Sequence, residues 1–345
     1  MSRIPRLALL AFLTASLGAV DAANGQEGRF GSRLVVIRVV LTTRAVDRHG
    51  QTILGLQPAD FRVAVDGEAV PVESVEWVPG GTVPEEVVPR SAAGAVGERP
   101  APAGRLVVLF FQNDFGLSRE RLVGLMRMAP RARRFVDSLT ARDLVAVLSF
   151  DSHLKLHLDF TADRARLDAT IAPRALLGRP AAIEAGPSPS LAAGFDRAAA
   201  LRAATPERAL LVTARALRGL PGPKSLVLLG WGLGHLSPSG TVHEDRDYEP
   251  ARRELLAAGV TVFSLDVTDA DYHSLEVGLE QVALDTGGFY AKTNLFPDLA
   301  MARLDGALQG HYVLVFERPA TRGPGVVEVS LVGVRGTVLT RSALD

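Results

Sequence analysis

The chain has 345 residues, 47% of them hydrophobic, which is enough apolar material for two domains with buried cores and excludes an intrinsically disordered chain. Its 38 basic and 38 acidic residues cancel to zero formal charge, which removes the basic field that a general nucleic-acid binder needs. Cysteine is absent, so disulfides, a thiol nucleophile, Cys-ligated zinc and a lipid-modified cysteine are all excluded.

At the N-terminus, Arg3 and Arg6 precede the apolar run "LALLAFLTASLGAV" and the small residues of "VDAA". That order predicts a cleaved export signal over 1–22 and a secreted or periplasmic chain; an uncleaved anchor is the alternative. No later run approaches membrane length, so the expected mature chain is soluble. Residues 33–78 read as a β segment: "LVVIRVVLTTRAV" is rich in β-branched residues, and "DFRVAVDGEAVPVESVEW" alternates and turns at Asp66-Gly67. Residues 79–104 are dense in Pro, Gly and Ala and read as a linker or long loop.

From Arg105 the pattern changes. "RLVVLFF" is a continuous apolar run, as in a strand covered on both faces. A helical stretch runs to Leu139, then come the strand "DLVAVLSF" and the alternating edge strand "HLKLHLDF". Helical segments are predicted at 162–171, 190–203 and 206–218, the last opening on Pro206. The strand "SLVLLGW", the helix "YEPARRELLAAG", the strand "VTVFSLDV" and the helices "DYHSLEVGLEQVALDTGG" and "FPDLAMARLDGAL" complete an alternation over 105–310. Such alternation predicts a doubly wound, mostly parallel α/β sheet. Residues 311–345 return to β, with "YVLVFERP", "GVVEVSLVGV" and "GTVLTR". The simplest layout joins them to 33–78 as one β domain interrupted by the α/β domain; two separate β pieces fit the same pattern.

"GLQPADFRVAVDGEAVPV", "DFGLSRERL", "FVDSLTARDLVAVLSF", "DFTADRARLDATI", "TGGFY" and "YVLVFERP", in that order, resemble the von Willebrand factor A-related proteins exported by some bacteria. The resemblance covers nearly the whole mature chain. It implies an A-type domain with a metal-ion-dependent adhesion site at the C-terminal ends of the parallel strands. There an Asp-x-Ser-x-Ser loop, a Thr and a later Asp hold Mg²⁺ or Mn²⁺ through oxygen.

Carried onto this sequence, Asp114 keeps the first carboxylate and Ser118 the second hydroxyl, while Gly116 replaces the first Ser. A register starting at Gln112 fits worse. Ser188 or Ser190 stands nearest the Thr, and Trp231 replaces the late Asp with an N–H donor. The expectation is a degenerate site with no bound divalent cation; the less favoured alternative is a weakly held Mg²⁺ or Mn²⁺ on Asp114 and Ser118. Without the cation, Asp114 and Ser118 serve as loop or cap residues, and Trp231 is a plug over the sheet end or an aromatic contact for a partner.

Other constellations point elsewhere less strongly. The glycines of "LGWGLGH" lack the helix start that a phosphate loop needs. His235, His243, Glu244, Asp245 and Asp247 cluster in one loop with no metal-ligand spacing. His153, Lys155 and His157 share one face of an edge strand, where solvent exposure is expected. Asp266 and Asp269 fall at a strand end on the presumed ligand face. The function expected is a non-enzymatic exported binding or adhesion module with a protein partner, bound through Asp114, Gly116, Ser118, Ser190, Trp231 and Asp266. The alternatives are a hydrolase-type enzyme using Asp114 and Asp266, or a structural component of an envelope assembly.

Overall fold

The computed structural model describes residues 36–80, 104–114, 119–319 and 325–344. The expected export signal, nearly all of the expected linker, and Gly116 and Ser118 lie outside them. No helix among the described residues is long and apolar enough to cross a membrane.

Two kinds of layer build the chain. The N-terminal residues form β1 (Val36–Val46), β2 (Phe61–Val65), β3 (Glu68–Val70) and β4 (Val72–Pro79). The α/β part then runs β5 (Leu106–Gln112), α1 (Arg119–Ser138), β6 (Leu144–Phe150), β7 (Leu154–Thr161), α2 (Arg164–Ile171), α3 (Pro173–Leu176), α4 (Arg197–Leu201) and α5 (Pro206–Arg218). It continues through β8 (Lys224–Gly230), the short pair β9 (His235–Leu236) and β10 (Val242–His243), α6 (Tyr248–Ala257), β11 (Val260–Asp266), α7 (Glu276–Asp285), β12 (Tyr290–Lys292) and α8 (Pro297–Ala307). The chain closes with β13 (Gly310–Pro319), β14 (Gly325–Leu331), β15 (Thr337–Thr340) and β16 (Ala343–Leu344).

The α/β part holds a six-stranded sheet in the order β12-β11-β8-β5-β6-β7. Its strands are parallel except β7, which pairs antiparallel with β6 at the edge. Every residue of β5 and β8 is buried, which accounts for their unbroken apolar runs. Alternate residues feed two cores. Val108, Phe110, Leu226 and Leu228 pack toward α5 and α6, whereas Leu109, Phe111, Val227 and Leu229 pack toward α1, α2 and α8.

Strands from the two ends of the chain pair with each other. One sheet runs β15-β1-β13-β4 and the other β16-β14-β2-β3. Between them lies a third core, including Leu41, Phe61, Val63, Leu314 and Phe316. Tyr312 pins it: the ring meets Phe61 edge-on at 5.5 Å, and the hydroxyl donates to the Ile53 carbonyl (2.9 Å) while accepting from the Leu56 N–H (3.2 Å). This β part is continuous with the α/β core, because Val46 and Leu339 are buried in the core beneath α1 and α8.

Two expected helices differ from the observed ones. The segment predicted as helix over 190–203 is helical only at Ala192–Gly194, as one 3-10 turn, and at Arg197–Leu201. Asp159 takes the Ser190 hydroxyl and the Leu191 and Ala192 N–H groups, which fixes the segment as a loop on β7. The helix expected from Asp271 starts only at Glu276, leaving 271–275 as a loop beside the end of β11.

Helix α1 approaches β11 at Gly124, where an added Cβ would lie 1.4 Å from the Val267 carbonyl oxygen. Gly124→Ala is therefore expected to push α1 off the sheet end and to cost about 1–3 kcal/mol, read from the urea midpoint. An unchanged midpoint would show that the helix packs there loosely.

Candidate functional site

Three adjacent parallel strands end at the same edge. Register places Asp266 of β11 opposite Gly230 of β8, and Phe111 of β5 opposite Leu229. The residues that follow each strand therefore meet. Gln112, at the end of β5, turns its carboxamide oxygen to the N–H groups of Trp231 (3.0 Å) and Gly232 (3.3 Å). Gly230 permits this, because a Cβ there would lie 2.7 Å from that oxygen.

Held in this way, Trp231 donates its indole N–H to Asp114 Oδ1 at 2.8 Å. The Arg121 guanidinium lies over the indole ring, 3.2 Å from its centroid. One aromatic side chain thus has a cation on its face and a carboxylate at its polar edge. Burial raises the Asp114 carboxyl to about 6, against the opposing pull of the indole N–H and Arg121. Burial likewise lowers Arg121.

A divalent cation does not fit the described residues of this group. Asp114 offers one carboxylate, but its oxygen already accepts an N–H, and Trp231 beside it brings a donor with a guanidinium above it. Ser190 stands elsewhere: it is buried, and its hydroxyl donates to Asp159 Oδ2 (2.5 Å) on the edge strand β7.

Asp266 forms a second group. It is buried, and its Oδ2 lies 2.8 Å from His273 Nε2 and accepts from the Tyr290 hydroxyl (2.9 Å). Its Oδ1 accepts from the Thr268 N–H (2.9 Å). Glu276 Oε2 lies 2.8 Å from the Lys292 ammonium and 3.5 Å from the Tyr290 hydroxyl. Burial, Asp266 and Glu276 all raise the Tyr290 phenol, which therefore stays protonated. Asp266, His273 and Glu276 can present one ligand atom each within 4.8 Å of one another, the metal-capable trio among the described residues. Their carboxylates already hold the Lys292 ammonium and the tyrosine proton.

The loop clusters singled out in the sequence resolve into ordinary structure. His235 and His243 face each other across the β9–β10 pair with rings stacked at 5.7 Å, and Asp247 pairs with Arg208. His157 is half-buried and not solvent-facing. Its Nε2 lies 2.7 Å from Ser149 Oγ, and burial lowers its pKa to about 4. Gln112, Arg121, His273, Glu276, Tyr290 and Lys292 were not anticipated as site residues. The only available signals were the polar Gln112 ending an apolar run and the His-x-x-Glu spacing after Asp266.

A carboxyl raised in the folded state binds its proton more tightly folded than unfolded. Its contribution therefore favours folding at low pH and is lost as pH rises through about 6. Asp114→Asn keeps an acceptor for the indole N–H and removes this titration. The variant should gain stability relative to the parent between about pH 4 and pH 7 in urea unfolding. A difference that stays constant over that range would contradict the burial of this carboxyl.

No family model and no curated protein matches the chain. Among solved structures it is similar to the PilB minor pilin of Streptococcus sanguinis at 15% identity and a TM-score of 0.37. That match covers 58% of this chain and 60% of the pilin, so the chain spans less than two thirds of it. It is similar to BatB of Bacteroides thetaiotaomicron at 16% identity and a TM-score of 0.35, over 59% of this chain and 99% of that one. It is also similar to the ArnB paralog VWA2 of Sulfolobus acidocaldarius at 10% identity and a TM-score of 0.36, over 90% and 75%. These likenesses are too distant to speak of activity. What the strand order itself carries is the fold class: a mostly parallel α/β sheet with an added β part built from both ends of the chain.

Proposed function

We propose that this chain is an exported, non-enzymatic binding module that meets a protein partner at the C-terminal strand ends without a bridging metal ion. The observation that carries the reading is the Trp231 N–H on Asp114 beneath Arg121, an aromatic–cation pair at the position where the resemblance implies a metal. The same end of the molecule carries exposed apolar side chains: Leu122, Val123 and Met126 on α1, Tyr272 in the loop after β11, and Leu295 and Phe296 just before α8. Ion pairs tie these elements together, Arg127 to Asp269 at 2.7 Å and Arg131 to Asp298 at 2.9 Å. Exposed aromatic, Met and Arg side chains on a braced surface are the composition of protein contact faces. In this reading 1–22 is the export signal, 79–104 a linker, and 105–310 the domain that presents the face, flanked by the β segments 33–78 and 311–345. Asp266 supports the face from below. With both its oxygens accepting hydrogen bonds, it is not a free base for hydrolysis.

The test is capture of a partner from a native envelope fraction on the immobilised chain. The same protein should be retained in the presence of a chelator, and should be lost from a Met126→Asp, Phe296→Asp double variant whose melting temperature matches the parent. Loss of capture in chelator, or equal capture by the double variant, would overturn the reading.

A further inference from the structure

At the opposite end of the sheet, where the parallel strands begin, a cavity of about 450 Å³ lies between the β part and the α/β part. Its walls include Arg44, Arg218, Lys224, His311 and Arg341, and no Asp or Glu lines it. Arg218 is held by Glu254 at 3.1 Å. Arg44 and Lys224 are different, being 6% and 4% exposed with no carboxylate partner among the described residues. Arg44 donates from Nε to the Ala307 carbonyl (3.0 Å) and from Nη1 to Thr261 Oγ1 (3.3 Å). Lys224 donates to the Ala258 carbonyl (2.8 Å).

Ala307 and Ala258 stand at the C-terminal ends of α8 and α6. Each helix end supplies roughly half a negative charge. Two such ends offset about one of the two buried positive charges and leave about one unmet. Burial alone lowers Lys224 to about 8 and Arg44 to about 10, with no acidic group acting in the other direction. Burial, then the charge of Arg44, lowers His311 to about 4, so the imidazole is neutral. The lysine ammonium has three N–H donors and uses one in this bond. Beside these groups the wall is apolar, at Val40, Leu220, Leu256 and Val313.

We infer that this cavity is a binding site for a small organic acid, whose oxyanion sits between Arg44 and Lys224 and whose apolar body lies against the aliphatic wall. The anion supplies the charge that the two helix ends leave unmet. The apolar wall and the cavity's size, far larger than a bare ion, favour an organic acid over inorganic phosphate. This site is separate from the strand-end face and stands whether or not that face binds a protein.

The experiment is thermal unfolding of the full chain with sodium benzoate, with inorganic phosphate, and with sodium chloride at matched ionic strength. Benzoate should raise the melting temperature by about 2 °C or more beyond chloride at a concentration well above its Kd. A rise with benzoate larger than with phosphate supports the organic acid. A rise with phosphate alone would overturn that choice of ligand. Lys224→Met should fold at least as well as the parent, because replacing an unmet buried charge by an apolar chain is neutral or stabilising. Lys224→Gln keeps a donor for the Ala258 carbonyl if the methionine variant is lost. Either folded variant should lose the benzoate effect. An equal rise in these variants, or none beyond chloride in the parent, would overturn the inference.

Discussion

The strand-end site depends on one hydrogen bond, from the Trp231 indole to Asp114. A carboxylate at the mouth of a parallel sheet, half out of water, needs a positive or donating partner. The resemblance to von Willebrand A-type proteins implies a divalent cation in that role. Here the chain supplies the partner itself, as an N–H at the ring edge and a guanidinium on the ring face. In the proposed reading this replacement changes what the surface can recognise. A metal site bridges to an acidic group of a partner, whereas an Arg–Trp pair offers a flat aromatic and cationic surface.

That bond is held by the framework around it. Gln112 fixes the Trp231 and Gly232 backbone through a single carboxamide oxygen, and it can do so because Gly230 has no side chain in the way. Gly124 lets α1, which carries Arg121, close against Val267 at the end of β11. The next strand over adds a second network at Asp266, where the Tyr290 hydroxyl donates to the buried Asp266 and the Lys292 ammonium pairs with Glu276. At the other end of the sheet the accounting of charge differs: Arg44 and Lys224 are buried against helix carbonyls with no carboxylate to meet them among the described residues. The two ends of one sheet have thus handled buried charge in opposite ways.

Much of the fold was legible in the sequence. "RLVVLFF" and "SLVLLGW" read as strands covered on both faces because β5 and β8 are buried along their whole length. The edge strand β7 was legible from its alternation. Helix α5 was legible from Pro206 at its first turn, and Thr205 caps it by accepting from the Arg208 N–H. The helix misread over 190–203 turned on Asp159, some thirty residues away, taking the backbone and hydroxyl donors of 190–192. No local propensity reports such a contact. Asp114 and Trp231 could be nominated from the resemblance, but their bond could not, since an absent metal ligand does not say what replaces it. Arg121 reads as an ordinary helix-surface arginine, and His273 was hidden inside a stretch read as helix. Arg44 and Lys224 were invisible for the same reason: in a sequence a buried cation looks like an exposed one.

The most direct measurement follows the indole N–H itself. The chain has two tryptophans, Trp77 and Trp231, so the Trp77 indole is an internal reference. Nuclear magnetic resonance of the indole N–H groups across a pH titration should show the Trp231 resonance stepping with a midpoint near 6 as Asp114 ionises beside it, while Trp77 shows no such step. Millimolar Mg²⁺ should leave both resonances in place. A Trp231 resonance that ignores pH and moves with Mg²⁺ would mean that Asp114 holds a cation and that the tryptophan stands beside the site instead of filling it.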